Sequence, residues 1–476
     1  MRHTAVLCLF ALLFSTSVLL MIMNGCGFSA AGSPTASVAA PQSKIQHIVI
    51  IFQENRTPDN LFRDPALIAR GADIAANGVG SSGTIIPLTP TTLAVNYDLS
   101  HTHSAFVAMY DGGKMDGADQ VGAGCEVNGC SLPPNPQFQY VQSSDVEPYF
   151  QLAEQYAFGD RMFQTNQGPS FPAHQFIISG TSAPTATSSL FVAENPPNVP
   201  NVGCTAPPGS TVPMIDPSGN ESSALYPCFE HPTLTDELNA KGLSWRYYAP
   251  SDSGLAIWVA PNAIQHMCGP NAAPPNATAC TGSDWTNNVV LYTSQNPAPI
   301  LNDIGNNQLP DVSWVMPSGQ NSDHPGVSIN PGGPSWVAAI VNAIGSSPYW
   351  SNTAIIITWD DWGGWYDHVP PPKIINDGTS WGSGYVYGFR VPLIVVSPYA
   401  KAQYISHVTH DFGSILNFTE QVFNLPSLGY ADARADNLFD CFDFNQSPLQ
   451  FQTISASASA QHFLNDRTPP TDPDDD

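Results

Sequence analysis

Charged side chains are scarce in this sequence, and positive ones are the scarcest. Only 11% of the 476 residues are charged, and 14 lysines and arginines stand against 39 aspartates and glutamates, which gives a formal net charge of −25. Proteins that bind the nucleic-acid backbone or adsorb electrostatically to anionic membranes carry basic surfaces. The composition therefore predicts no nucleic-acid partner. Such an acidic surface suits either an acidic environment or solubility alone.

The sequence also lacks an internal repeat and any Cys-x-x-Cys pair. The missing repeat excludes a solenoid or propeller, and the missing pair disfavours a structural zinc site. What the chain does have is a 42% hydrophobic content together with 37 glycines and 45 prolines. This composition predicts a large buried core whose elements are joined by long loops.

The beginning of the chain predicts an export signal rather than a part of the fold. Arg2 and His3 precede an apolar run over residues 5–23, and small residues follow, which is the pattern of a secretory signal peptide. We predict a signal peptide over residues 1–26 and a Ser/Ala/Pro-rich tether over residues 27–43.

Two cleavage sites compete at this signal. Met23-Asn24-Gly25-Cys26 resembles a bacterial lipobox, which would place a membrane-tethering lipid on Cys26, although Met23 and Asn24 depart from the pattern. Alternatively, a general signal peptidase cuts near residues 29–31. The protein is accordingly expected to be periplasmic, a cell-surface lipoprotein or secreted.

Cysteine spacing fits an oxidising compartment. Apart from Cys8 and Cys26, seven cysteines remain, and the first six fall into local pairs. The predicted bridges are Cys125–Cys130, Cys204–Cys228 and Cys268–Cys280. Six cysteines allow about 15 connectivities, so this pairing is the most economical of several. Cys441 would remain a buried free thiol.

Apolar β-branched runs alternate with helical periodicity along the body of the chain. The predicted strands are 47–52, 312–316, 353–359 and 391–397, and the predicted helices are 148–157, 172–179, 233–241, 335–344 and 411–423. This alternation predicts an α/β sandwich around a mostly parallel sheet. We expect one domain over residues 44–464, with disulfide-stapled loop or cap insertions near 185–230 and 261–300, and an acidic, disordered tail over 465–476.

Oxygen-bearing side chains directly follow two of these strands. The residues concerned are Glu54, Asn55, Asp360 and Asp361. Ligands of open α/β sheets bind beyond the carboxyl ends of the strands. Adjacent carboxylates repel each other unless a cation or a proton lies between them, so the pattern indicates a site for a hard divalent ion. A solvated turn or a helix cap is the alternative.

Ser170 stands where a loop turns into a predicted helix. The amide groups and the positive dipole at such a helix end attract a phosphoryl group, although serine also commonly caps helices. His101, His103 and His324 lie in predicted loops. Loop histidines are often incidental, but together with a metal ion and a serine they could bind phosphoryl oxygens or protonate a leaving group.

Four segments resemble the bacterial phosphoesterases of the phospholipase C and acid phosphatase type. They are Gln53-Glu54-Asn55-Arg56, Gly113-Lys114-Met115-Asp116-Gly117, Gly168-Pro169-Ser170-Phe171-Pro172 and the longer Trp359-Asp360-Asp361-Trp362-Gly363-Gly364-Trp365-Tyr366-Asp367-His368-Val369-Pro370-Pro371. They span much of the chain in the order of that family, and the last one is the most specific. The resemblance implies the three-layer α/β fold of the alkaline phosphatase-like superfamily.

The resemblance also implies roles for individual residues. Ser170 would be the nucleophile, and Glu54, Asn55, Asp360 and Asp361 would join it around one divalent metal ion, with Ca²⁺, Mg²⁺ or Zn²⁺ as candidates. His324 and either His101 or His103 would bind the phosphoryl group. His174 departs from the pattern, because many relatives carry arginine there, and this departure puts the substrate contacts in question.

The implied function is an exported, metal-dependent phosphoric ester hydrolase that acts through a phosphoserine, similar to acid phosphatases. A phospholipase C acting on phospholipids and a non-catalytic cell-surface binding protein are the alternatives. A sulfatase is disfavoured because Ser170-Phe171-Pro172-Ala173-His174 lacks the arginine of the Ser/Cys-x-Pro-x-Arg motif. The sequence does not distinguish a monoester from a diester substrate, and it predicts no oligomeric state.

Overall fold

The computed structural model describes residues 44–196, 202–250, 256–327, 329–330, 332–373 and 387–471. The predicted signal peptide and tether lie outside the described residues. Within the described part of the chain, none of the helices combines the length and the apolar character needed to cross a bilayer.

Eight strands form the central sheet. In chain order they are β1 (His47–Gln53), β2 (Ala157–Gly159), β3 (Trp245–Ala249), β4 (Val289–Leu291), β5 (Val312–Val315), β6 (Thr353–Trp359), β7 (Leu393–Val396) and β8 (Tyr404–Ser406). Their spatial order is β4-β3-β5-β1-β6-β7-β2-β8. All neighbouring strands are parallel except the two pairs that β7 makes, with β6 and with β2. The predicted α/β fold with a mostly parallel sheet is confirmed.

The central strands β1 and β6 are covered on both faces. Successive side chains of a strand point to opposite faces, yet every residue of β6 and all but the first of β1 are buried. Their sequences, His-Ile-Val-Ile-Ile-Phe-Gln and Thr-Ala-Ile-Ile-Ile-Thr-Trp, therefore show the continuous apolar run of a doubly covered parallel strand rather than an alternating pattern.

Six helices of eight or more residues are present among the described residues. They are α1 (His103–Tyr110), α2 (Ser143–Gln155), α3 (Ser170–Ser179), α4 (Leu234–Lys241), α5 (Gly332–Gly345) and α6 (Phe412–Phe423). The five predicted helices are confirmed, and α1 is additional. Helix α2 packs against α5, and α3 packs against α6. At the start of α6 the Asp411 carboxylate accepts a hydrogen bond from the Ser414 backbone amide at 3.2 Å, which caps the helix.

The insertion near 185–230 contains a small antiparallel sheet, which we call the cap and define as residues 191–225 without the undescribed 197–201. Its strands are Phe191–Val192, Val212–Ile215 and Glu221–Leu225. The cap lies on the loop before Ser170, because a Cβ atom added to Gly168 would come within 2.0 Å of the Ala193 carbonyl oxygen.

The segment near 261–300 differs from the prediction of a loop insertion. It contains β4, which pairs with β3 at one edge of the central sheet. A three-residue strand is too short to show a recognisable period in the sequence. The same limit explains why β2 and β8 were not predicted.

The three predicted disulfides are confirmed. Cys125–Cys130, Cys204–Cys228 and Cys268–Cys280 are bonded, and Cys441 is a buried free cysteine. Burial raises the pKa of the Cys441 thiol well above its usual value, which keeps it protonated and unreactive.

The first part of the predicted acidic tail is attached to the body of the protein. The backbone amide of Thr471 donates to Gln320 Oε1 at 3.0 Å, and the amide of Gly319 donates to the Thr471 carbonyl at 2.9 Å. The prediction of a disordered tail therefore does not hold for residues 465–471, and residues 472–476 lie outside the described part.

A network of ion pairs joins the segments that follow β1 and β6. Arg390 donates to both carboxylate oxygens of Asp367, at 3.0 and 3.1 Å, and to Asp59 at 3.3 Å. His368 bridges Asp59 at 2.7 Å and Asp73 at 2.9 Å. Burial lowers the pKa of His368, but the hydrogen bond that its ring donates to Asp59 and the negative charge of Asp59 outweigh burial and raise the pKa to about 9.

The pKa of His368 predicts a pH dependence of stability. Because folding raises this pKa from 6.5 to about 9, the stabilisation is complete below about pH 6.5 and is lost as the pH rises through about 9. We expect His368→Gln to lower the free energy of unfolding most near pH 6, with the difference from the unmodified chain shrinking towards pH 10. Urea denaturation at several pH values measures this difference. His462→Gln, at an exposed position, is the control, and a pH-independent loss in His368→Gln would contradict the prediction.

Candidate active site

Strands β1 and β6 place their acidic residues side by side. Gln53, the last residue of β1, pairs with Trp359, the last residue of β6. The amide of Asp360 then donates to the Gln53 carbonyl at 3.0 Å. Glu54 and Asp360 therefore leave the sheet at the same level, and both are buried. The structure brings together these two residues, as the pattern at the strand ends predicted.

Asn55 turns its backbone into the left-handed region, with φ at 58°. Its amide donates to Asp360 Oδ1 at 3.3 Å. Gly363, also at a positive φ of 62°, packs so closely on this turn that an added Cβ would lie 2.4 Å from the Asn55 carbonyl oxygen. The two turns therefore fit together only with glycine at position 363.

Ser170 faces these carboxylates from the first residue of α3. Its hydroxyl donates to Asp361 Oδ2 at 3.1 Å and to Glu54 Oε2 at 3.5 Å. Asp361 is held in turn by the backbone amide of Gly363, 2.7 Å from its other carboxylate oxygen. The N-cap position belongs to Pro169, so the Ser170 side chain faces the acidic group instead of capping the helix.

His101 and His324 approach Asn55 from the side opposite the carboxylates. Each ring is fixed through Nδ1, which lies 2.9 Å from the Leu99 carbonyl in His101 and 2.6 Å from the Pro325 carbonyl in His324. The Nε2 atoms lie 3.3 and 2.9 Å, respectively, from one terminal atom of the Asn55 amide.

The contacts of the two histidines determine which atom of the Asn55 side-chain amide, oxygen or nitrogen, faces the carboxylates. When both rings are neutral and donate from Nδ1 to a carbonyl, they can only accept at Nε2, so the amide nitrogen of Asn55 faces both rings. The amide oxygen then lies 3.2 Å from Glu54 Oε2 and 2.9 Å from Asp360 Oδ1. Three oxygens converge with no hydrogen atom between them, which is the ligand arrangement that suits a divalent ion. With Nε2 protonated, the amide would turn the other way, with its oxygen accepting from the rings and its nitrogen donating to Glu54 and Asp360.

His174 lies one helical turn beyond Ser170 and faces the same group. Its Nε2 is 3.5 Å from Glu54 Oε1 and 3.6 Å from Asp360 Oδ2. Burial raises the pKa of Asp360, but His174 outweighs this effect and holds the pKa below its usual value. The sequence singled out His174 only as a departure from the family pattern and did not predict its place beside Glu54 and Asp360. The signal that could have found it is the four-residue spacing from Ser170, which puts both side chains on one helix face.

Two other groups of possible metal ligands among the described residues already have protein partners. They are Asp59, Asp367 and His368, and His410, Asp440 and Cys441. Arg390 supplies a positive charge to the first, and the His410 ring lies 2.6 Å from Asp436 and 3.0 Å from Ser406. Asp360, in contrast, has no ion pair with a lysine or arginine among the described residues, and the basic side chain beside it is His174. The group of Glu54, His174 and Asp360 is therefore the best candidate to hold an ion.

His103 and the amides at the start of α3 have other partners. The ring of His103 lies 2.5 Å from Glu221 in the cap, so of the two histidines near residue 102 the structure places His101 against Asn55. The Phe171 amide donates to Asn195 Oδ1 at 2.9 Å, and Pro172 has no N–H. Phe171 and Pro172 therefore cannot supply the backbone hydrogen bonds to a phosphoryl group that were expected from the start of this helix.

The comparison with known families agrees with this geometry. Residues 45–426 match the sequence profile of the Phosphoesterase family. The chain belongs to that family. Two relatives are the non-hemolytic phospholipase C of Pseudomonas aeruginosa, 24% identical over 87% of this chain and 60% of the relative, and phospholipase C B of Mycobacterium tuberculosis, 25% identical over 85% and 78%.

This phosphoesterase thus spans less than two thirds of the length of the Pseudomonas relative. Among solved structures, a protein of the alkaline phosphatase superfamily from Vibrio parahaemolyticus matches 83% of this chain and 72% of its own, with 11% identity and a TM-score of 0.34.

Gly363 provides a test of the site geometry. We expect Gly363→Ala to destabilise the protein and to weaken divalent-ion binding, because the new methyl group would collide with Asn55. Gly83 is the matched control, since it has a φ of 78° and nothing within 4 Å of an added Cβ. Gly83→Ala should cost only the backbone strain, about 1 kcal/mol. Denaturant unfolding and calorimetric metal titration measure both effects, and equal losses in the two variants would argue against the proposed packing.

Proposed function

We propose that this chain is a metal-dependent phosphoric ester hydrolase with Ser170 as its nucleophile. The observation that carries the proposal is the Ser170 hydroxyl, which donates to Asp361 at 3.1 Å beside a group of converging buried oxygens. Membership of the Phosphoesterase family supports it. A non-catalytic binding protein would have no need for a hydroxyl held against buried carboxylates.

Glu54, Asn55, Ser170, Asp360 and Asp361 are the residues that would hold one divalent ion. When bound, such an ion lowers the pKa of a hydroxyl and neutralises charge on a phosphoryl oxygen. Glu54, Asp360 and Asp361 are buried, so little water would screen the attraction between their carboxylates and such an ion.

The first chemical step is the attack of Ser170 Oγ on phosphorus. The Ser170–phosphorus bond forms as the bond from phosphorus to the ester oxygen breaks, and the leaving alkoxide takes up a proton from solvent. Asp361 accepts the hydrogen bond of the Ser170 hydroxyl and is therefore placed to take its proton. The product is a phosphoserine. Water then attacks the phosphoserine, which releases phosphate or a phosphomonoester and restores the hydroxyl.

Asn55, His101 and His324 form the opposite side of the site. The transition state of phosphoryl transfer spreads negative charge over the equatorial oxygens, and fixed donors stabilise it. The two histidines are oriented by backbone carbonyls through Nδ1. When neutral they accept from the Asn55 amide, and a ring protonated at Nε2 would donate to a phosphoryl oxygen instead.

The substrate is a phosphate monoester or a phosphodiester of the phospholipid type. The names of the relatives, phospholipases C, favour the diester, whereas the resemblance to acid phosphatases favours the monoester. Hydrolysis of p-nitrophenyl phosphate, bis-p-nitrophenyl phosphate and phosphatidylcholine between about pH 4 and 9, with metals added back, distinguishes them. Activity on none of the three under any metal would contradict the proposal.

We also propose that the protein is exported. The three disulfides support folding in an oxidising compartment. The protein would be periplasmic, secreted or tethered through a lipid on Cys26. Mass spectrometry of the mature N-terminus tests this, and a chain that retains Met1 in the cytoplasm would contradict it.

Ser170→Ala should abolish turnover. The substitution removes both the nucleophile and one contact to the carboxylates, so we expect kcat to fall by about a thousandfold or more. Ser179→Ala, at the other end of the same helix and also buried, is the matched control and should retain activity. Near-normal turnover in Ser170→Ala would exclude this serine as the nucleophile.

Asp360→Asn combined with Asp361→Asn should fold but bind no ion. Asparagine keeps a side-chain oxygen that can accept from the amides of Asn55 and Gly363, so we expect the double variant to fold. Because the folded protein holds the Asp360 pKa below its usual value, loss of this charge should lower the melting temperature of the metal-free protein. Elemental analysis after dialysis should find about one equivalent of metal in the unmodified chain and none in the double variant. Asp111→Asn, at an exposed position, is the control. An active unmodified enzyme without metal would refute the assignment.

A further inference from the structure

We propose that His174 is itself a ligand of the ion, through Nε2, and that this nitrogen makes the site selective for a borderline ion such as Zn²⁺ over Ca²⁺ and Mg²⁺. The proposal rests on the metal site of the proposed function and specifies which class of ion occupies it.

The position of the imidazole supports this role. His174 is 0% exposed, and neither of its ring nitrogens makes a hydrogen bond within the described part of the chain. Buried polar atoms are almost always satisfied by a partner. The nitrogen Nε2 points at two carboxylates that belong to the candidate metal site, so an ion between them would satisfy it.

The separations fit ligands of one ion. Nε2 lies 3.5 Å from Glu54 Oε1 and 3.6 Å from Asp360 Oδ2. Both distances are too long for a good N–H···O hydrogen bond. Ligand atoms that each lie about 2.0–2.2 Å from the same ion are separated by about 3.0–3.6 Å. The three side chains are therefore spaced as neighbours around an ion rather than as hydrogen-bonded partners.

The nitrogen changes which ions the site prefers. Glu54, Asn55, Asp360 and Asp361 alone offer carboxylate and amide oxygens, which suit Ca²⁺ and Mg²⁺. Imidazole nitrogen instead suits Zn²⁺ and other late transition ions. His174 therefore shifts the preference of an otherwise oxygen-only site towards Zn²⁺.

The rival role is indirect. His174 could orient Glu54 and Asp360 by weak hydrogen bonds without touching the ion. Loss of such a positioning residue would weaken the binding of every divalent ion by a similar factor. Loss of a nitrogen ligand would weaken Zn²⁺ binding much more than Ca²⁺ binding. The ratio of the two affinities therefore separates the roles.

The test measures dissociation constants of Zn²⁺ and Ca²⁺ for the metal-stripped full chain by competition titration. We expect His174→Gln to raise the dissociation constant of Zn²⁺ by about 100-fold or more and that of Ca²⁺ by less than about threefold. His231→Gln is the matched control, because His231 is also buried with an unpaired Nε2, and it should change neither constant. Equal changes for both ions in His174→Gln would overturn the proposal.

The visible spectrum of the Co²⁺-loaded chain gives a second readout that does not depend on activity. We expect the absorption bands of Co²⁺ to shift in His174→Gln and to stay unchanged in His231→Gln. A protein that binds no divalent ion would refute the proposed function itself. Tight binding with the same Zn²⁺/Ca²⁺ ratio and the same Co²⁺ spectrum in His174→Gln would refute only the role of His174.

Discussion

Repulsion between carboxylates at the ends of two neighbouring strands is the constraint around which the site is arranged. Glu54 and Asp360 are side by side because β1 and β6 are in register up to Gln53 and Trp359, and both are buried. Like charges without water around them are costly unless a cation lies between them. The left-handed turn at Asn55, the Ser170 hydroxyl and the His174 ring all face that position.

The surrounding charges are compensated in a different way. Arg390 neutralises Asp367 and Asp59 inside the protein, so the segments after β1 and β6 are joined before any ion binds. The Ser170 hydroxyl and the carboxylates of Glu54 and Asp360 are therefore already close together before an ion binds. Catalysis by fixed charges depends on this kind of preorganisation, because no rearrangement is needed when the reaction occurs. The long acidic and aromatic segment after β6 thus carries two carboxylates of the candidate metal site and also forms a structural connection.

The core of the fold and most of the site could be predicted from the sequence. Strands β1 and β6 are long apolar runs, and their acidic ends follow directly, so local pattern and position agree. The three-residue strands β2, β4 and β8 could not be predicted, because their pairing is decided by residues distant in the chain. The surroundings of His174 are set by residues that are distant in the chain and lie opposite α3. The four-residue spacing places His174 and Ser170 on one face of α3, but the sequence does not show that Glu54 and Asp360 lie opposite that face.

The cap and the sheet divide the site between them. The sheet positions the ion ligands through its register, which tolerates little change. The cap contacts the surroundings of Ser170 at a few points. Asn195 accepts a hydrogen bond from the amide of Phe171, and Ala193 packs on Gly168. Glu221 binds the ring of His103. Because loops tolerate substitution better than buried strands, changes in the cap would alter the surroundings of Ser170 and His103 and leave the carboxylates at the ends of β1 and β6 in place.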